Sequence, residues 1–356
     1  MDSKMNYFKV ALEKKYQQKH YQQLRCVLSK VQHDTLNFNT LDFLGLTTHP
    51  YVKNRTIDAI ARWGAGSCSS RVLIDHLSAH VALEKKLAAL LGTEAVMLFP
   101  SAFAAQTALF GSLAAAGSTF YAERSYPTQL VKGHLNARST LHTFDRKALS
   151  TLPDGREPKI VITSSICSKT GEVIDLRSFM SHAVESDALL MVDDSYALGM
   201  LGKRGFGLAT MRKGVDLIMG AFGIGSFGAY LGCSQLIKNY LSTFTPFEPL
   251  PPANIGAIEA ALELIPDMDA ERLKVLDLAK ELRKKFILKG HSVIDAKSHI
   301  VGLKTDPALY KQLADHGIIA MPTDLPGIAF NLTIKHTPEH IDQLVKQLGQ
   351  TAPALV

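Results

Sequence analysis

Cysteine and tryptophan are scarce in this chain of 356 residues, which holds four of the first and one of the second. Cys26, Cys68, Cys167 and Cys233 are widely separated and form no Cys-x-x-Cys pair. Neither a disulfide framework nor a zinc site is expected, and a reducing, cytoplasmic location is. Runs of five or more basic residues are absent; 39 Lys and Arg against 33 Asp and Glu leave a net +6 spread along the chain. Nucleic-acid binding is therefore not expected. The start, MDSKMNYFKVALEKK, has no apolar core or cleavage site, so no signal peptide is expected. Charge is missing from two stretches, 95–122 and 217–237. Each exceeds the roughly 20 residues that a membrane span needs. Pro100, Ser101, Gln106 and Ser112 interrupt the first, and Gly220, Gly223, Gly225, Gly228 and Gly232 the second. Buried strand, turn and helix of an α/β core are expected there, with no transmembrane segment.

What is present reads as a globular chain, 46% hydrophobic and 20% charged, long enough for one large and one small domain. Residues 1–30 carry Phe8, Leu12, Tyr16, Leu24 and Val27 at mostly helical spacing. Pro50–Trp63 and His80–Leu91 read as helices ended by Gly64 and Gly92. Apolar runs then alternate with helical stretches: 95–99, 118–122, 159–164, 188–193, 216–220 and 228–232. That alternation predicts a mostly parallel sheet between helices. After FEPLPPAN come helical stretches at 255–264 and 269–289, strand candidates SHIVGLKT and GIAFNLTI, and a last helix from a Thr337-Pro338-Glu339-His340 cap, the pattern of a small α+β domain. The expected division is an arm at 1–45, a large domain at 46–265 and a small one at 266–356.

The specific signals occur in order along the chain. They are Phe43-Leu44-Gly45-Leu46 with His49-Pro50, Gly64-Ala65-Gly66-Ser67-Cys68-Ser69-Ser70-Arg71, then His80 with Leu83-Glu84. Leu98-Phe99, Ser168 with Gly171, Val192-Asp193-Asp194, Leu201-Gly202 to Gly205-Phe206-Gly207, Asp216 to Gly220 and Gly225 to Tyr230 continue the series. Over residues 38–252 this resembles the α-oxoamine synthases, the family of 8-amino-7-oxononanoate synthase and serine palmitoyltransferase. The resemblance implies the type I fold of pyridoxal-phosphate (PLP) transferases, with a mostly parallel seven-stranded sheet. It also implies dimers whose active sites lie between subunits. Active members condense an amino acid with an acyl-CoA. That chemistry needs a lysine for the aldehyde, an aspartate for the ring nitrogen, and hydroxyls and backbone N–H groups for the phosphate.

Several of those parts are missing. The family's lysine run matches Ala221-Phe222-Gly223-Ile224-Gly225, two residues short, and no lysine lies between Lys213 and Lys238. The run's phosphate-binding threonine falls at Ala221, and its serine is lost or is Gly223. The ring-stacking histidine falls at Tyr126, and the histidine of Asp-Glu-Ala-His at Tyr196. The phosphate-side Gly-Tyr-x-Ala-Asn segment reads Ala102-Phe103-Ala104-Ala105-Gln106, and the glutamate of Thr-Glu-Gly falls at Ser164. Glu248 stands where a threonine reaches the partner's phosphate, so it would repel that anion by about a few kcal/mol. Ala329 matches the arginine for the substrate carboxylate. Asp193 is retained, as are Ser70, Arg71 and His80, and each of these four has an equally good structural reading.

Other signals are weaker. Gly223-Ile224-Gly225-Ser226-Phe227-Gly228 matches G-x-G-x-x-G, but AYLGCSQLI after it reads first as a strand, whereas a dinucleotide fingerprint opens a helix. His76 and His80, at i and i+4, lack a third ligand, so no metal is expected. Ser168, Cys68 and Cys167 have no evident catalytic partners. The expectation is thus a degenerate α-oxoamine synthase homologue with no catalytic residue and with no or weak pyridoxal phosphate, never held covalently. It would be a homodimer, or a heterodimer with an active paralogue. Two alternatives stay open: an active PLP-dependent acyl transferase, and a binder of an acyl-CoA or other anion in the cleft.

Overall fold

The computed structural model describes residues 35–351 except 68–69, 71–76, 147–156, 211, 245–247, 307–308 and 324–326, and also residues 6, 9–10 and 13–14. Those amino-terminal five are helical. The rest of the helix expected over 1–30 lies outside the described residues.

After the short strand β1 (Leu36–Asn37), seven strands build the main sheet: β2 (Ala95–Phe99), β3 (Thr119–Glu123), β4 (Thr140–Phe144), β5 (Lys159–Ser164), β6 (Ala188–Asp193), β7 (Leu217–Ala221) and β8 (Ala229–Cys233). Their order is β2-β8-β7-β6-β5-β3-β4. Only β8 runs against its neighbours; every other pairing is parallel. The expected mostly parallel seven-stranded sheet of a type I transferase is therefore present. Six strands coincide with the apolar runs read from the sequence. The seventh, β4, is not among them, because it is an edge strand whose residues are exposed or half-buried, and its TLHTF carries little apolar signal.

Helices cover both faces, and alternation along each strand sorts its side chains between them. Met97, Phe99, Ile160, Ile162, Met191, Met219 and Leu231 pack with Ala108, Leu109 and Phe110 of the helix Ala102–Ala115. Val96, Leu98, Val161, Leu190, Val192, Ile218 and Tyr230 face the other way. They meet Leu83 and Leu87 of the helix Leu77–Leu91 and Phe179 of the helix Leu176–Glu185. Burial on two faces is what makes these strands continuous apolar runs.

A second, antiparallel sheet has the order β11 (Met321–Thr323), β12 (Gly327–Asn331), β9 (Ile300–Leu303). The helices Asp269–Leu288 and Pro338–Thr351 pack against it through Phe286, Ile341 and Leu344. Thr337 caps the last helix by accepting the His340 N–H at 3.4 Å, as its sequence predicts. β1 pairs in parallel with β10 (Ile318–Ile319), tying the amino-terminal arm to this part of the chain. Next along the arm, Phe38 is fully buried, edge-on to Phe330 at 5.8 Å and stacked on His336 at 4.2 Å. No helix among the described residues is long and apolar enough to cross a membrane.

Candidate functional site

In a parallel sheet the carboxyl ends of the strands are where loops diverge and ligands sit. Here β5, β6 and β7 end at Ser164, Asp193 and Ala221, and Ser164 pairs with Asp193 in register. By alternation all three belong to the face covered by the helix Ala102–Ala115. Asp193 is half-buried; burial pushes its carboxyl up, opposed by Ser195, whose N–H donates to Oδ1 at 3.0 Å. The Ser195 hydroxyl accepts the Ala221 N–H at 3.0 Å, so this one residue fastens the ends of β6 and β7 together. Sequence reasoning passed over Ser195, since an isolated serine after two acids carries no signal.

Asp194 points the opposite way. Its fully buried carboxylate accepts the Leu208 N–H at 3.1 Å, the Ala209 N–H at 3.0 Å and the Ser165 hydroxyl. Burial raises this carboxyl too, with the three donors opposing. A Cβ on Gly207, where φ is +96°, would lie 2.1 Å from Asp194 Oδ2. Asp194 therefore anchors the loop that returns through Gly207, and its neighbour Asp193 is the acid on the face covered by the helix Ala102–Ala115.

Two tyrosines flank Asp193. Tyr126 is buried, its hydroxyl accepts from Gln106 Nε2 at 3.3 Å, and burial followed by the charge of Asp193 pushes it well above its ordinary value. Tyr196 is pushed up to about 12, first by burial and then by Asp193 and Cys167, with the Ser168 hydroxyl opposing. Both phenols stay protonated at neutral pH and can donate hydrogen bonds, but they do not exchange protons there as an imidazole would. The neighbourhood of Asp193 is thus rich in hydroxyls. No cation is among the causes acting on its carboxyl.

The loop between β7 and β8 is buried where an extended side chain would need room. Phe222 is 1% and Ile224 3% exposed, and the Phe222 N–H donates to the Gly228 carbonyl at 2.9 Å. A Cβ on Gly223 would lie 2.1 Å from Leu41 Cβ and 2.8 Å from its carbonyl oxygen. Gly225, at φ +80°, packs on Leu46. The strand Ala229–Cys233 comes next, so G-x-G-x-x-G opens a strand here and lacks the helix a dinucleotide site requires.

The other expected positions scatter. Ala102 and Phe103 begin their helix, capped by Ser101, which accepts the Ala104 N–H at 3.0 Å; Phe103 is exposed. Glu248 and Ser70 are exposed, and His80 is buried on its helix. Cys68, Arg71 and His76 lie outside the described residues, among which no cluster could hold a metal. Ala329 is fully buried in an apolar group with Ile166, Ala197 and Ile300, edged by Tyr196 and Met321. Beside it His299, absent from the sequence reading, is fully buried with both ring nitrogens unpartnered among the described residues, 4.0 Å from the ring of Phe43. A lone histidine ahead of a short strand gave nothing to find it by.

With this geometry in place, the chain can be set beside known proteins. The family model described as aminotransferase class I and II matches residues 33–348. An 8-amino-7-oxononanoate synthase of Trichlorobacter lovleyi is 30% identical over 349 residues, covering 90% of this chain and 89% of that one. A Desulfosudis oleivorans relative provisionally named for the same activity is 33% identical, covering 88% of each. Among solved structures, Sphingomonas wittichii serine palmitoyltransferase superposes with a TM-score of 0.80 at 19% identity, covering 98% of this chain and 97% of that one. The 8-amino-7-oxononanoate synthase of Francisella tularensis gives 0.75 at 19%, covering 90% and 98%. A further serine palmitoyltransferase, solved with PLP, gives 0.77 at 19% identity, covering 89% and 87%.

Proposed function

Because the chain belongs to the class I and II aminotransferase family, and to its 8-amino-7-oxononanoate synthase-like branch, we propose that it is a member that has given up covalent PLP chemistry. It acts as a dimer-forming auxiliary subunit or interaction protein. One observation carries this reading: no lysine lies between Lys213 and Lys238, and the loop that would bear it is closed against Leu41 and Leu46. Without a primary amine at that place the aldehyde has nothing to condense with.

The remaining parts agree. Asp193 could still face a protonated ring nitrogen, and Tyr126 and Tyr196 supply aromatic walls. Ala221 offers a methyl where a phosphate needs a hydroxyl, and Ala329 sits among apolar side chains where a substrate carboxylate needs a cation. The residues present do not fit a covalently held PLP. Ile57, 60% exposed, lines a surface pocket with Gly225 and Ser226, and Phe227, next in sequence to Ser226, is 69% exposed; the two support an association face.

The deciding experiment adds PLP to the purified protein, records the absorbance, reduces with borohydride and maps the peptides. The expected result is no stoichiometric adduct on any one lysine. Such an adduct would restore the alternative of an active acyl transferase. Co-expression with an active paralogue then tests the auxiliary role. A heterodimer with activity missing from either chain supports it, and recovery of self-associated chains alone removes it.

A further inference from the structure

A groove of about 400 Å³ runs between the helix Asp269–Leu288 and the segment 293–296. That volume is within the range of small-molecule sites. Its helical wall is one face at i, i+3, i+4 and i+7, formed by Lys280, Arg283, Lys284 and Ile287, with Leu288 beyond. The opposite wall is Val293, Ile294, Asp295 and Ala296. This wall is fixed to β9: the Ile294 N–H donates to Gly302 at 3.0 Å and the Lys304 N–H to Ser292 at 2.9 Å.

The charges in the groove do not balance. Lys280, Arg283 and Lys284 face only Asp295, and none of the three is in an ion pair among the described residues; the nearby Glu281 is engaged by Lys285 at 2.8 Å. Arg283 spends Nη2 on the carbonyls of Ser298 and Ile300, both at 2.6 Å, and its buried Nε has no partner. Burial accordingly lowers Arg283 to about 10, with Asp295 only partly opposing. At the other end of the same groove Ile287 and Leu288 are 62% and 74% exposed. Cations toward the carboxyl end of a helix are ordinary compensation for the helix dipole, though the effect is confined to its last turn, where Lys285 stands. That compensation gives no reason for two large aliphatic side chains to stand in water beside them. A second groove, at Val173–Arg177, shows the contrast, because its Arg177 is already paired with Asp175 at 2.6 Å.

We propose that this groove binds an aliphatic carboxylate, its headgroup against Lys280, Arg283 and Lys284 and its chain along Ile287, Leu288 and Val293. The site is independent of the reading of the strand-end cleft. A carboxylate gives the exposed Lys280 and Lys284 an acceptor and adds to the counter-charge that Asp295 alone supplies to Arg283, and a short alkyl chain removes the exposed aliphatics from water.

Octanoate and its uncharged counterpart octanamide are the probes, used in saturation-transfer NMR and calorimetry on the full chain. Octanoate is expected to bind at one site with octanamide at least about tenfold weaker. The double variant Lys280→Gln/Lys284→Gln, both exposed positions, is expected to lose about tenfold in octanoate affinity with its melting temperature unchanged. Ile287→Ser should weaken octanoate and octanamide alike. No octanoate binding at millimolar concentration, equal binding of the amide, or unchanged affinity in the lysine variant would each overturn the proposal.

Discussion

Two adjacent aspartates illustrate how differently neighbouring residues can be employed. Alternation puts half-buried Asp193 on the face of the helix Ala102–Ala115 with one backbone donor, and Asp194 in the core with three donors. Asp194→Asn exchanges an acceptor oxygen for an N–H group facing other donors, and is expected to cost roughly 2–4 kcal/mol. Asp193→Asn is expected to cost under about 1 kcal/mol, since one bond to the Ser195 N–H can be kept. Chemical denaturation of both variants checks the contrast. The histidines make a pH prediction. Burial lowers His299 to about 3 and His336 to about 4, so both are neutral in the folded chain. The unfolded chain takes up protons below about 6.5, so stability from these groups falls as pH drops from 6.5 toward 4. The raised carboxyls of Asp193 and Asp194 act in the opposite sense, so the comparison must be between variants. His299→Leu should flatten the fall in stability between pH 6.5 and 4 by about one proton, measured by urea melts across that range. Asp193 could be found from the sequence because it ends an apolar run. His299 could not, because nothing local distinguishes a buried histidine from an exposed one.

Strands and loops differ in how plainly they can be read. The six strands buried on both faces announce themselves as apolar runs, whereas β4 at the edge and the two-residue β1 and β10 do not. The glycine-rich loop before β8 is a more instructive case, since a motif alone would make it a nucleotide site. The element it opens decides against that: β8 runs to Cys233, and only then does Ser234 cap a helix. The close fit of Gly223 on Leu41 leads to a prediction at this scale. Gly223→Ala places a Cβ 2.1 Å from Leu41 Cβ and is expected to cost about 2–3 kcal/mol by overpacking. Gly223→Lys should be at least as costly and should gain no borohydride-stable adduct with PLP. Thermal melts and peptide mapping read the two outcomes. A stable Gly223→Lys protein that formed the adduct would show that the loop still has room for the missing chemistry.

The whole chain is joined by its amino-terminal arm. One apolar cluster runs from Leu98 and Val192 in the large sheet through Phe38, Phe43 and Leu46 to Phe330 and Leu344 beyond the small one. Phe38 sits where β1 has just paired with β10, fully buried between Phe330 and His336. Phe38→Ala is expected to destabilise by roughly 3–5 kcal/mol, the ordinary cost of emptying a core phenylalanine site. Near-UV and far-UV circular dichroism should lose their signals together in this variant and in the parent, because the two sheets share that core. The family resemblance gave the large sheet from sequence. The arm was legible only as an irregular stretch, since its contacts reach residues some 290 positions away, as in the bond from Asn331 to the Thr40 carbonyl.

The reversed direction of β8 has one more consequence. Because β7 and β8 are antiparallel neighbours, with Gly220 opposite Tyr230 and Ala221 opposite Ala229, the seven residues between them form a hairpin at the rim of the sheet. A hairpin can gain or lose residues without moving the strands that carry it. Had the same residues crossed between parallel strands, a deletion would have pulled on a helix and on the register of the whole sheet. A change of length in this hairpin therefore leaves the register of the parallel strands in place, while buried Phe222 and Ile224 and the contact of Gly223 with Leu41 limit which side chains it accepts.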